Sequence, residues 1–393
     1  MSQKILYLPI KKRYNIVVCI MLFWYLHRKG LRMERVEHVN QYYSCLEAMK
    51  RKFDKYARKH PVQTKSREAY EKWAAQARQN LNQLLGMDKM EDCELRPQLL
   101  ESIELEGNMR REKLLIQVEP DVYMPFYIIY PAKEVQKYIG SEYNQRPACV
   151  IAPHGHQGGG KESVAGRREI LSIASAIERF QYDYGMQLAK KGYIAICPDA
   201  RGYAERRESA YQNDEESSYL AGTCYHLSHM AEPLGMTVMG MLVWDLMRLV
   251  DYIYERGDFD LTTLGCAGFS GGGMQTLYAA ALDQRIQRVI ISGYFYGFKD
   301  SHLLLNGNCN CNYVPHLWEY YDCGDIGALL APREVIVQTC KEDHLNGPRG
   351  IKNVIEQIEI MNQAFTLYQA QENLKVDVQE GGHSWHSGVL HSL

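Results

Sequence analysis

Ser270 stands in the stretch Cys266-Ala-Gly-Phe-Ser-Gly-Gly-Gly273, one hydroxyl among four glycines at the end of an apolar run. Gly268 to Gly272 fits the pattern G-x-S-x-G, preceded by a segment that reads as a strand and followed by one that reads as a helix. Small neighbours let such a turn close tightly and leave the hydroxyl exposed at its apex. A serine is a weak nucleophile until a base removes its proton. Two later segments supply the missing groups. "VIVQTCKEDHLNG" offers Asp343 just past an apolar strand, with Glu342 as the competing acid, and "VQEGGHSWHS" offers His383, with His386 as its competitor. A histidine titrates near neutrality and suits a proton shuttle, while an acid behind it would hold the imidazole in one tautomer. The negative oxygen of a tetrahedral intermediate needs amide donors. The candidates are the N–H of Gly271 and, in the glycine-rich loop His154-Gly-His-Gln-Gly-Gly-Gly160, that of His156, with Gln157 next.

These groups are far apart in the chain, so a sheet must gather them. "ACVIAP", "YIAICPD", "LGCAGF", "RVIISGYF", "EVIVQTC" and "LKVDVQ" read as short apolar strands. Helical stretches alternate with them at residues 180–192, 234–257, 272–282 and 350–370. This rhythm predicts a mostly parallel sheet covered on both faces. Ligands of such sheets bind beyond the carboxyl ends of the strands. Upstream, "LLESIELEG", "KLLIQVEP" and "VYMPFYIIYPA" read as edge strands, expected antiparallel. Tyr42, Leu46, Met49 and Phe53, then Tyr70, Trp73, Ala77 and Leu81, fall at helical spacing, with Pro61 between the two helices. Residues 200–233 are long for a strand-to-helix connection and rich in tyrosine and histidine, so a pocket-lining insertion is expected.

The 393 residues carry a net charge of −2, with 46% hydrophobic and 23% charged residues. This is ordinary for a globular chain, and no basic surplus points to a nucleic-acid partner. Eleven cysteines cannot all pair within one chain, and reduced thiols with a cytoplasmic location are the simplest expectation. Residues 1–32 carry a basic lead and the apolar run "IVVCIMLFWYL". They read as a non-structural extension, with an export signal or anchor, or an ordinary packed segment, as alternatives. The division expected is 1–32, a helical region 33–95, and a catalytic domain 96–393. Gly155 to Lys161 nearly matches a phosphate-binding loop, but Glu162 stands where Ser or Thr would hold magnesium, so nucleotide binding is not expected. The pairs His154/His156, His226/His229 and Cys309/Cys311 lack zinc-site spacing. No metal and no cofactor are expected.

With these residues in hand, the chain resembles the α/β-hydrolase superfamily, and within it the bacterial branch related to acetyl xylan esterases and dienelactone hydrolases. The resemblance covers about residues 100–390. It rests on "APHGHQGGGKE", "PDARGYAERRE", "GCAGFSGGGMQT", the segment from Cys309 through Asp343, and "GGHSWHS". It implies an α/β-hydrolase fold with Ser270 as nucleophile, Asp343 as acid and His383 as base, and a mainly structural Arg201-Gly202 pair. Sugar esterases of the cephalosporin-C-deacetylase type carry Gln after the Arg-Gly pair and after the nucleophile, whereas Tyr203 and Gly271 stand there in this chain. The implied activity is cleavage of small acyl esters, acylated sugars among them, through an acyl-enzyme. An amidase related to prolyl oligopeptidases and a non-catalytic homologue are the alternatives. Composition and motifs say nothing of the oligomeric state.

Overall fold

A computed structural model describes residues 41–140, 145–209, 213, 215, 219–305 and 307–392. The expectations for residues 1–32, and for the helix opening at Met33, lie outside them. Residues 1–47 group as one unit and 48–393 as a second. The first described helix is α1 (Leu46–Tyr56), and the second unit holds the sheet.

Nine strands form one sheet. They are β1 (Gln98–Leu105), β2 (Met109–Glu119), β3 (Val122–Tyr130), β4 (Cys149–Ile151), β5 (Ile194–Pro198), β6 (Gly265–Phe269), β7 (Arg288–Ser292), β8 (Glu334–Cys340) and β9 (Leu374–Gln379). Their order is β1-β2-β3-β5-β4-β6-β7-β8-β9. The pairings β1–β2, β2–β3 and β3–β5 are antiparallel, and every pairing from β5 to β9 is parallel. The expected antiparallel edge is therefore present. From β4 the chain crosses first to one neighbour, β5, and later to the other, β6. That reversal of winding opens a crevice beyond the strand ends, where ligands bind in such sheets.

The strands are apolar along their length because both faces are covered, yet successive side chains still point to opposite sides. Phe126, Ile128, Ile151, Ile196, Cys266, Val289 and Val337 enter one apolar cluster. Tyr127, Ile129, Val150, Ala195, Ala267, Ile290 and Ile336 enter another. Against the first cluster pack α2 (Arg67–Leu84), α6 (Val238–Arg256), α7 (Gly271–Leu282) and α9 (Ile351–Leu367). Against the second pack α3 (Leu171–Phe180) and α4 (Tyr184–Lys190), together with Trp385. Two shorter helices are α5 (Cys224–Ala231) and α8 (Cys323–Ala328).

Helix α2 starts at Ser66, whose side chain accepts from the Ala69 amide, and buries Tyr70, Ala74, Ala77 and Leu81. That spacing puts one apolar stripe on the core. The Tyr70 hydroxyl donates to Ala328 O at 2.7 Å. Helix α6 is capped by Thr237 and ends at Gly257 with φ +69°, as a left-handed C-terminal residue should. One expectation needs correction. The helix expected over 180–192 is shorter, Tyr184–Lys190 (α4), because Phe180 instead ends α3 and Gln181 takes φ +58°. The break turns Tyr182 inward, where it is almost fully buried.

Two buried polar devices fix the loops at the crevice. Lys161 of the near-match to a phosphate loop is wholly buried, with Nζ 2.7 Å from Asp199, 2.6 Å from Glu205 and 3.2 Å from Glu162. Burial alone would lower this ammonium, but Asp199, Glu162 and Glu205 outweigh it and push the group well above its ordinary value. The lysine is thus committed to carboxylates. The second device is Gln338 on β8. Its Oε1 accepts from Ser292 Oγ at 2.7 Å and from the His386 amide at 3.1 Å, and its Nε2 donates to His386 O at 2.8 Å and to Asp377 at 2.7 Å. The loop after β9 is pinned again by Trp385, whose indole donates to Gln187 and stacks on Tyr184.

Lys161→Met leaves Asp199 buried without its counter-charge and should destabilise the fold by about 3–5 kcal/mol in urea unfolding. Adding Asp199→Asn should recover part of that loss. Gln338→Leu strands the His386 backbone groups. It should cost about 1–3 kcal/mol and speed hydrogen exchange at the His386 amide, and unchanged exchange there would show that the loop is held by other means.

Candidate active site

Strand β6 ends at Phe269, and the Ser270 amide donates to Ser292 O at 2.8 Å. Ser270 itself has φ +57° and ψ −121°. A non-glycine residue there is strained by about 1–3 kcal/mol and persists only where its surroundings impose it. The glycines around it serve a different need. Gly268, Gly271 and Gly272 are absent from the positive-φ residues. Each is glycine because another group occupies the place of a side chain. A Cβ on Gly268 would lie 2.2 Å from Gly272 O, one on Gly272 would lie 2.1 Å from Pro153 O, and one on Gly271 would lie 2.5 Å from His156 Nδ1. The turn is held by close approach of backbones from β6, α7 and the loop after β4.

The loop after β9 brings in His383, whose Nδ1 lies 2.6 Å from Asp343 Oδ2. Asp343 follows β8 and is buried, and its Oδ1 accepts from the Leu345 amide at 2.9 Å. Both carboxylate oxygens are therefore engaged. Glu342 is exposed, and its described hydrogen bond runs from its amide to Gly381 O. His386 shares a 3.1 Å hydrogen bond with Ser384 Oγ instead. Of the competing pairs, the structure brings Asp343 and His383 together. The His383 ring lies 4.5 Å from that of Phe269. A side chain on Gly293 would come within 2.8 Å of Phe269 and 3.1 Å of His383, so a glycine leaves room for the imidazole.

Ser270, Gly271, His156 and His383 line one cavity of about 610 Å³, within the usual range for small-ligand pockets. The insertion at 200–233 supplies part of its wall through Tyr203, Leu220 and Tyr225. Among the described residues the amides of Gly271 and His156 have no hydrogen-bond acceptor. The His156 amide nitrogen sits 3.3 Å from the place of a Gly271 Cβ, so the two amides are close neighbours. Gln157 also lines the cavity, in a left-handed conformation with φ +58°. A hydroxyl on a strained turn, a carboxylate-held imidazole and two free amides in one cavity can carry out acyl transfer.

The sequence reading gave no role to Tyr182. Its hydroxyl donates to His156 O at 2.5 Å, and the phenol lines the same cavity as Ser270. Burial pushes this phenol well up, so it stays protonated. Nothing in "FQYDYGMQ" distinguishes it from a helix tyrosine. His154 is structural: its Nε2 accepts from the Ala200 amide at 3.0 Å, and burial lowers it to about 4. Arg201 is bound by Asp245 and Glu119 beneath the crevice.

A second grouping also escaped the sequence reading. His156 Nε2 lies 3.1 Å from Cys311 Sγ, and with Cys309 Sγ these atoms all fall within 4.8 Å of one another. Hydrogen bonds from Cys224 and Cys311, and the nearby His156, hold the Cys309 thiol well below its ordinary value. The pairs were visible as spacings, but His156 and Cys311 are 155 residues apart.

Residues 33–376 match the profile of the abhydrolase family. YtaP of Bacillus subtilis (strain 168), assigned as a hydrolase, is 24% identical over 292 residues, covering 72% of this chain and 86% of its own. A Bacteroides fragilis NCTC 9343 protein assigned as an acetyl xylan esterase superposes with a TM-score of 0.65 at 16% identity, covering 87% of this chain and 84% of that one. A glucuronoyl esterase from Solibacter usitatus gives a TM-score of 0.57 at 15% identity over 86% and 94% of the two chains. At such identities the two structures speak for a common fold. With a profile match over most of its length, and a sheet and strand-to-helix turn of the form described, the chain belongs to the abhydrolase family and has the α/β-hydrolase fold.

Proposed function

We propose that this chain is a serine esterase that cleaves small acyl esters through an acyl-enzyme. One observation carries the reading: the 2.6 Å contact of the buried Asp343 with His383, whose ring lines the same cavity as Ser270. Ser270 attacks the ester carbonyl and His383 takes its proton. Asp343 holds the ring by Nδ1 and stabilises the imidazolium. The amides of Gly271 and His156 receive the developing oxyanion. His383 then protonates the leaving alcohol, and water, activated by the same ring, releases the acid. Ester chemistry is favoured over amide chemistry by the structural neighbours named as esterases. The cavity size and its hydroxyl-bearing Tyr225 suit a compact polar alcohol such as an acylated sugar.

Ser270→Ala should lower kcat/KM for an activated acetate ester by about 10³-fold or more, and His383→Ala by a similar factor. The double variant should lose little further, because the two act as a unit. A fluorophosphonate probe should label the folded chain once and the Ser270→Ala chain not at all. Retained turnover in Ser270→Ala would remove that residue from the mechanism. In a panel of graded acyl length, acetyl and propionyl esters should turn over faster than octanoyl esters, and faster than an aminoacyl amide. A preference for the amide would overturn the esterase reading while leaving the nucleophile in place.

A further inference from the structure

We propose that Cys309, Cys311 and His156, joined by Cys224, form a binding site for a soft divalent metal ion, zinc foremost, in the wall of the cavity. Three chain segments meet there. The loop after β4 brings His156, α5 brings Cys224 at its first position, and the turn Asn310–Asn312 puts Cys309 and Cys311 on either side of Asn310. The ligand atoms of His156, Cys309 and Cys311 lie within 4.8 Å of one another. Tetrahedral zinc, with bonds of about 2.3 Å to sulfur and about 2.0 Å to nitrogen, sets its ligands about 3.5–3.8 Å apart. A small inward movement closes the group. Cys224 Sγ lies 3.2 Å from Tyr203 Oη, and Cys309 Sγ lies 3.6 Å from the same hydroxyl.

The surroundings suit thiolates. The Asn312 side-chain amide points at Cys311 Sγ from 3.7 Å, and the Tyr203 hydroxyl stands between two of the sulfurs. Such outer donors orient ligands and offset their charge. All these cysteines are free thiols. Binding of Zn²⁺ displaces the thiol protons to solvent and leaves three thiolates and a neutral imidazole on the ion, so affinity falls as pH falls. The ion would tie the 307–312 segment to the loop that presents the His156 amide. The site does not depend on ester hydrolysis, and its test reads the metal directly.

The experiment uses the full chain, purified under reductant, stripped with a chelator and titrated with Co²⁺ and then Zn²⁺. One equivalent of Co²⁺ should give intense thiolate-to-cobalt charge-transfer absorption and tetrahedral ligand-field bands, and one equivalent of Zn²⁺ should abolish both. Cys309→Ser and Cys311→Ser should each weaken Zn²⁺ binding by about 100-fold or more, and His156→Gln should weaken it too. Cys93→Ser, outside the cluster, should bind as the parent does. Zinc should also shield Cys224, Cys309 and Cys311 from alkylation mapped by mass spectrometry, a readout in the parent chain that needs no variant to fold. Absence of charge-transfer absorption, an undiminished band in the Cys309→Ser/Cys311→Ser chain, equal alkylation with and without zinc, or a Cys309–Cys311 disulfide that persists under reductant would each overturn the proposal.

Discussion

The site depends on one backbone constraint, the positive φ of Ser270 between β6 and α7. Left alone, the serine would relax and turn its hydroxyl away from the cavity. Three absent side chains prevent this. Gly268, Gly271 and Gly272 let Gly272 O, His156 and Pro153 O approach to distances that a methyl group would forbid. The strain of one residue is offset by the packing of α7, which is buried over nearly its whole length. Because Gly271 touches His156 and Gly272 touches Pro153, the same contacts that hold the hydroxyl also set the loop carrying the second free amide.

That loop is anchored from below by charge. Lys161 accepts burial because Asp199, Glu162 and Glu205 surround it, and Asp199 also receives the Lys161 amide at 2.7 Å. Nearby, Arg201 and Arg206 share the buried Asp245. Such networks add little net stability over apolar packing, but each partner is costly to strand. Here they fix the path of the chain leaving β4 and β5. On the opposite flank, Gln338 joins β8, Ser292 and the His386 backbone. The imidazole of His383 therefore rests on a loop fastened three residues beyond it, with Trp385 buried in between.

The cavity wall comes from the connections rather than from the sheet. The 200–233 insertion contributes Tyr203 and Cys224, and the 307–312 segment contributes Cys309 and Asn312. Both meet the His156 loop, so the surface that would receive a substrate and the cluster of sulfur and nitrogen donors share residues. A change in one will be felt by the other.

The sequence alone determined the layers of the fold and the identity of the strand-to-helix turn. Short apolar runs alternating with helical periods leave few architectures, and G-x-S-x-G between a strand and a helix is a local pattern that needs no distant partner. It narrowed the acid to Asp343 or Glu342 and the base to His383 or His386, since chain order and strand ends limit the choices. In the tertiary structure it is Asp343 and His383 that meet, because which side chain near a strand end faces the crevice depends on the turn that follows the strand. The tertiary structure also shortened the helix expected at 180–192 to Tyr184–Lys190 and turned Tyr182 inward. Above all, it brought His156 beside Cys309 and Cys311. Their spacing carried no sign of this, because contact between residues 155 apart is set by how loops cross over the sheet.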